Sequence, residues 1–255
     1  GGSDVQNLKT RAVKDGNAYR LTGQKTFITN GQHANLIVVA AKTDPGAGSK
    51  GTSLMVVETE DAQGFTRGRN LEKVGLKAAD TSELFFDNVE VPPENLLGGE
   101  EGQGFYQMMQ QLPQERLIIG CGAVGAIQGG VERTIAYCNT REAFGGPIIQ
   151  FQNTRFKLAE MSTKLAVSRA FLDECITEHL QGNLSVEKAA MAKYWLTDTQ
   201  CDVLDDCVQL HGGYGFMQEY DVAEMWTDAR VQRIYGGTNE IMKELISRSL
   251  IDKKR

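Results

Sequence analysis

Two different periods run through this chain. From Leu8 to Val91 the apolar positions come in short alternating or continuous runs, and beyond Pro92-Pro93 they recur every three or four residues. In the first half, Lys14-Asp15-Gly16-Asn17 predicts a hairpin turn, because Asp, Gly and Asn tolerate positive φ. After it Tyr19, Leu21 and Phe27 fall on one alternating face. Asn30-Gly31 predicts a second turn. Leu36 to Ala41 and Leu54 to Val57 are continuous apolar runs, as expected of strands buried on both faces. Thr43 to Ser49, rich in Gly, Asp and Pro, predicts the loop between them. Leu84-Phe85-Phe86 predicts a strand that ends in a turn at Asp87-Asn88. Short strands separated by turns make residues 1–93 a small β-barrel or sandwich.

In the second half Phe105, Met108, Met109 and Leu112 repeat at i, i+3, i+4, i+7. Leu158, Met161, Leu165, Ser168 and Leu172 make a longer stripe, and Ala192, Leu196, Thr199, Val203, Cys207 and Leu210 another. Each stripe buries one face of a helix against its neighbours. Gln181-Gly182-Asn183 is a short joint between two of them, and Ser185, a good N-cap residue, predicts the start of the next. Residues 94–255 therefore read as a four-helix bundle, and the whole chain as α+β.

Composition narrows the chemistry. The formal net charge of −6 gives no electrostatic case for nucleic acid or an anionic membrane. No apolar run approaches the roughly 20 residues of a membrane-spanning helix. The cysteines (Cys121, Cys138, Cys175, Cys201, Cys207) are odd in number and form no C-x-x-C pair, which reads as reduced thiols in a reducing compartment. The three histidines, His33, His179 and His211, have no metal-ligand spacing, so no metal is expected.

One motif points elsewhere. Leu117-Ile118-Ile119 followed by Gly120-Cys121-Gly122-Ala123-Val124-Gly125 fits a strand leading into G-x-G-x-x-G, with Glu142 about 20 residues on, the fingerprint of a nicotinamide oxidoreductase. The apolar run is short, however, and follows Pro113-Gln114-Glu115-Arg116, which reads as a helix start. No strand–helix alternation comes after it. The competing reading makes Gly122, Gly125, Ala126 and Gly129 a small-residue face of a helix that allows close packing.

An ordered set of segments decides which chemistry the chain resembles. Gly2-Ser3-Asp4-Val5, Gln24 to Gly31 (QKTFITNG), Gln114-Glu115-Arg116 and Arg141-Glu142-Ala143-Phe144-Gly145 with Gln152 come first. Gln209 to Gly215 (QLHGGYG) and Tyr235 to Ile241 (YGGTNEI) follow. Together, and in this order over essentially the whole chain, they resemble the acyl-CoA dehydrogenase family, most closely its long-chain and isovaleryl-type members. The resemblance implies a middle β-barrel followed by a C-terminal four-helix bundle, with an N-terminal helical domain and the first strand of the barrel expected ahead of Gly2. It implies FAD as cofactor, a fatty acyl-CoA as substrate, an electron-transferring flavoprotein as partner and a homotetramer. It also implies a bacterial cytoplasm or, in a eukaryote, the mitochondrial matrix, the bacterial setting being preferred.

The reaction so implied is α,β-dehydrogenation of the thioester to a trans-2-enoyl-CoA. A carboxylate removes the α-proton while hydrogen bonds stabilise the developing enolate, and the flavin takes the β-hydride. In much of the family the carboxylate follows the Tyr of the Tyr-x-Gly-Thr segment, where this chain has Gly236. A minority carries it on the first long helix of the C-terminal domain, and Glu115 matches that placement. By itself Glu115 reads as an ordinary acidic residue in a helix's first turn. By resemblance, Phe27, Ile28 and Thr29 lie against the flavin ring, and Arg141 and Gln152 reach its diphosphate from a neighbouring subunit. Gln209, Leu210, His211, Gly212 and Gly213 form the turn on its adenosine side, and Thr238, Asn239 and Glu240 add further flavin contacts. Ser3, Tyr106, Arg116 and Gly237 resemble acyl-CoA contacts. Two alternatives remain open at this point: the nicotinamide enzyme, and a barrel-plus-bundle fragment that oligomerises without flavin.

Overall fold

The computed structural model describes residues 2–251. It divides into two compact units, one up to Gln111 and one from Leu112 onward. In the first, β1 (Arg11–Asp15), β2 (Ala18–Thr29), β3 (Leu36–Lys42), β4 (Thr52–Glu58), β5 (Phe65–Asn70) and β6 (Thr81–Val91) form one sheet in the order β4-β3-β1-β2-β6-β5. It is antiparallel except where β1 runs parallel to β3. Among the described residues no ladder joins β4 to β5, so the sheet is open where the sequence suggested closure. Ala12, Leu21, Val39, Met55, Leu84 and Val89 lie at the centre of its core.

The predicted hairpin joins β1 and β2 at Gly16-Asn17, with Gly16 at φ +61°. Three expectations change. Tyr19 and Leu21 point into the core as alternation requires, but Phe27 is 77% exposed. Register shifts on β2 between Leu21 and Gly23 and between Lys25 and Ile28, with Phe27 at φ +61°, break the period and turn Ile28 inward instead. Gly23 permits the first irregularity, since a Cβ there would stand 2.5 Å from Thr10 Oγ1 and 2.7 Å from its Cα. The Leu36 to Ala41 run is covered on one face only, for Val39 and Ala41 are buried while Leu36 and Val38 are exposed. Asp87-Asn88 is no turn: β6 runs through it, with Asn88 at φ +52°, and ends before Pro92.

The second unit is helical. Its elements are α1 (Gly104–Thr140), which begins in the first unit, α2 (Gln152–Leu180), α3 (Val186–His211), α4 (Asp221–Ala229) and α5 (Asn239–Ile251), so a nine-residue helix joins the four longer ones. Ser185 caps α3 as expected, its hydroxyl accepting from the Lys188 N–H at 3.1 Å. Gly182, at φ +73°, turns the chain between α2 and α3. The α2 stripe is buried at Leu158, Met161, Ser168 and Leu172.

α1 and α3 depart from the sequence reading. Pro113 does not start a helix: α1 begins at Gly104 and continues through it, so Glu115 stands in the helix interior rather than its first turn. Proline has no N–H to offer the Met109 carbonyl, a local break in the ladder that the helix tolerates. α3 is buried on more than one face, with Lys193, Thr197 and Gln200 as enclosed as Ala192, Leu196 and Val203. The G-x-G-x-x-G segment is helical throughout, with no strand before it, which removes the basis of the nicotinamide reading. Its glycines do not share one packed face either. A Cβ on Gly122 or Gly125 would meet nothing within 4 Å. Close approach occurs instead at Gly120, 3.0 Å from Leu196 Cδ1, and at Gly130, 2.6 Å from Leu204 Cδ2, both on α3.

Candidate active site

In the second unit Arg116 and Ile119 of α1 meet the Tyr235–Asn239 turn. Arg116 is buried on α1, and its Nε donates to the Gly236 carbonyl at 3.4 Å. Burial pulls its guanidinium below the ordinary arginine value, and the Glu115 carboxylate acts in the opposite sense. Gly236 and Gly237 are both left-handed, at φ +65° and +89°. A Cβ on Gly236 would stand 2.5 Å from Ile119 Cδ1. Ile119 therefore fills the space that a side chain at 236 would need. Glu115 precedes Ile119 by four residues, so the two lie one above the other on the same face of α1, about 5–6 Å apart at Cβ. That face is the one turned toward Gly236. Glu115 itself is exposed.

Thr238 and Asn239 start α5. The Thr238 hydroxyl accepts from the Ile241 N–H at 3.3 Å. Asn239 is 1% exposed, and its amide is fully engaged inside the unit. Nδ2 donates to Asp198 Oδ1 at 2.8 Å and Thr197 Oγ1 at 3.0 Å, while Oδ1 accepts from Lys193 Nζ at 2.8 Å. Only its main chain is left to meet a ligand. Glu240 is exposed; hydrogen bonding to its own backbone N–H holds its carboxyl low, burial opposes this, and the Thr238 hydroxyl adds to the lowering.

A second group gathers at the C-terminal end of α3. Gln209 is exposed, Leu210 packs on the core, and Gly212, at φ +60°, ends the helix. Gly212 and Gly213 are exposed, and a Cβ on either would meet nothing within 4 Å, so their backbone is open to a close ligand. His211 is buried beneath them, its Nδ1 2.8 Å from the Cys207 carbonyl and its ring stacked on Tyr137 at 4.1 Å. Burial pulls the His211 ring below its ordinary pKa, and the bond to Cys207 works against that. Tyr214 leans on Tyr220 at 5.0 Å, and the Arg141 guanidinium sits 5.6 Å above the Tyr214 ring. Arg141 leaves α1 just before a two-strand hairpin, β7 (Glu142–Ala143) and β8 (Gly146–Pro147); Gln152, also exposed, opens α2. A cation beside two bare glycine backbones is a donor set that suits a diphosphate.

Ser3, Tyr106 and Phe27 to Thr29 belong to the first unit. Ser3, Thr29 and Tyr106, the last near the start of α1, are exposed. Phe27 is a non-glycine residue in the left-handed region with an uncovered aromatic face, the kind of strain that collects at functional sites. Sequence reasoning missed Lys193 and the inward role of Asn239. A signal existed: Lys193, Thr197 and Gln200 are spaced at i, i+4, i+7 and make a polar stripe beside the apolar one of Ala192, Leu196, Thr199 and Val203.

The profile of the acyl-CoA dehydrogenase middle domain matches residues 1–89, and that of the acyl-CoA dehydrogenase C-terminal domain matches residues 102–251. The chain belongs to the acyl-CoA dehydrogenase family. Among its relatives, the mitochondrial long-chain specific acyl-CoA dehydrogenase of Sus scrofa is 50% identical, over 99% of this chain and 59% of its own length. The cyclohex-1-ene-1-carbonyl-CoA dehydrogenase of Syntrophus aciditrophicus is 42% identical over 98% of this chain and 60% of its own. A crystal structure of an acyl-CoA dehydrogenase from Geobacillus kaustophilus superposes with a TM-score of 0.96 at 51% identity, covering 98% of this chain and 66% of that one. The family's fold is thus this fold, a mixed sheet followed by helices. The chain spans about 59% of the length of the long-chain relative it matches.

Proposed function

We propose that this chain carries the catalytic base and much of the cofactor site of an enzyme that dehydrogenates a fatty acyl-CoA thioester between its α and β carbons. The observation that carries the reading is the pairing of Gly236 with Ile119. The position after Tyr235 has neither the side chain nor the room for a carboxylate, and the face of α1 that fills that room presents Glu115 one turn away. Glu115 takes the α-proton. Arg116, tied to the Gly236 carbonyl, holds that stretch of α1 against the turn and keeps the base in place. The thioester oxygen, as it gains charge, is taken by backbone N–H groups of the Gly237 region.

FAD, when bound, accepts the β-hydrogen as hydride, chemistry that no side chain supplies. Arg141 and the open backbone of Gly212 and Gly213 are the donors for its diphosphate, Phe27 to Thr29 offer a surface for its ring, and Gln152, Gln209 and Thr238 are further contacts. Ser3, Tyr106 and Gly237 serve the acyl-CoA. In this reading the assembly is a homotetramer and the electrons leave to an electron-transferring flavoprotein. The experiment is Glu115→Gln in the intact protein. A lost general base lowers kcat by about 10²–10⁴-fold, with the flavin spectrum unchanged. Turnover within a few-fold of wild type would refute Glu115 as the base.

A further inference from the structure

Lys193 is the largest fully buried side chain among the described residues. A methionine or leucine of similar volume would stabilise the middle of α3 at least as well, because the desolvation of a buried charge is seldom repaid in full. What an ammonium adds is direction. Its Nζ donates to the Gly237 carbonyl and to Asn239 Oδ1, both at 2.8 Å. Arg116 Nε donates to the carbonyl one residue earlier. Two consecutive carbonyls of a left-handed turn are thus each held by a cation from a different helix. Asn239 passes the connection to Asp198, which pairs with Arg233 at 2.6 Å.

We propose that Lys193 is a positioning residue for the reaction: with Arg116 it clamps the Gly236–Gly237 turn against the face of α1 that carries Glu115. The inference rests on the dehydrogenation reading for its effect on turnover, but the clamp can be tested apart from it. The charged groups around Lys193 are Asp198 on its own helix, Arg116 on α1, Glu240 on α5 and Arg233 on the segment Arg230–Arg233. Burial pushes the Lys193 ammonium from its ordinary 10.5 down to about 8; Asp198 pulls it up, Arg116 pushes it down, Glu240 raises it and Arg233 lowers it. Charge-assisted hydrogen bonds are roughly twice as strong as neutral ones, so the clamp slackens as pH rises through about 8. Stability runs the other way. The unfolded chain holds this proton up to about 10.5, so between 8 and 10.5 the group makes folding more favourable as pH rises. A merely structural lysine would produce the second trend without the first.

The test uses the intact flavoprotein, with palmitoyl-CoA and isovaleryl-CoA as probes and a dye as electron acceptor, and compares wild type, Lys193→Met and Asp198→Asn from pH 6 to 9.5. Lys193→Met should lower kcat by about 10–100-fold, the scale of a roughly 1 Å misplacement, with flavin retained. The wild-type decline near pH 8 should vanish in Lys193→Met. In Asp198→Asn it should move to lower pH, because a partner that raises the Lys193 pKa has gone. Wild-type kcat and an unchanged pH profile in Lys193→Met would overturn the inference. If that variant does not fold, an unmoved decline in Asp198→Asn overturns it. If the wild type dehydrogenates neither thioester, the functional reading is what fails, and amide hydrogen exchange over residues 235–240 then decides the clamp. Faster exchange in either variant supports it, and unchanged exchange sinks it.

Discussion

The Gly236–Ile119 contact sets a stability cost that can be worked out and measured. In Gly236→Ala the new Cβ sits in the left-handed region at φ +65°, which costs an L-residue about 1–2 kcal/mol. It also stands 2.5 Å from Ile119 Cδ1, and overpacking of this kind costs about 1–3 kcal/mol because the isoleucine must leave its rotamer. The single variant should lose about 2–5 kcal/mol, or roughly 4–20 °C in Tm for a chain of this size. The two parts separate in a double-mutant cycle. In an Ile119→Ala background the overlap disappears and only the backbone term of about 1–2 kcal/mol remains. A favourable coupling of about 1–3 kcal/mol is then expected, well beyond the roughly 0.3–0.5 kcal/mol within which independent sites add. Urea titrations of the four proteins measure it. A coupling below about 0.5 kcal/mol would show that Ile119 does not guard position 236 and that a carboxylate there has room.

Two other measurements probe the packing on which the site rests. Gly130→Ala places a methyl 2.6 Å from Leu204 Cδ2 and should destabilise by about 1–3 kcal/mol, whereas Gly122→Ala meets nothing and should stabilise α1 by about 0.4–1 kcal/mol; equal effects in thermal melts would refute the assignment of the packed side. The Tyr19 hydroxyl donates to Glu101 at 2.6 Å, and that bond, together with burial, pushes its pKa up to about 12. Because an unfolded tyrosine ionises near 10, its contribution is complete below about pH 10 and is lost as pH rises toward 12. Tyr19→Phe should flatten the fall in stability across that window, and an unaltered slope would remove Tyr19 as its cause.

Periodicity carried much of this fold because burial follows period wherever one face of an element meets one core. The α2 stripe and the β1–β2 hairpin are of that kind. It failed where something non-local intervened. Phe27 keeps its place in an alternating sequence, yet two register shifts against β6 turn it outward, and the first of them falls where Gly23 meets Thr10. α1 runs through Pro113 because tertiary burial of Leu117, Val124 and Ile127 outweighs one missing hydrogen bond, which no local rule weighs. Among the candidate site residues, Glu115, Arg116, Arg141 and the glycines could be proposed from ordered motifs. Lys193 could not, because its meaning lies in a contact with residues 44 and 46 positions away.

The same lysine bears on how the helices find their order. An ammonium enclosed on α3 has no water to fall back on, so it is satisfied only when the residues opposite it present a carbonyl and an amide oxygen at the right height. If α5 docked one residue out of step, a shift of about 1.5 Å along its axis, the threonine or the carboxylate beside Asn239 would replace its amide, and the Asp198 and Thr197 bonds would be lost with it. Apolar side chains alone would tolerate such a slip at little cost. The buried charge makes the misdocked bundle expensive, so α3 and α5 can lock only in the register that also closes the Gly236–Gly237 turn.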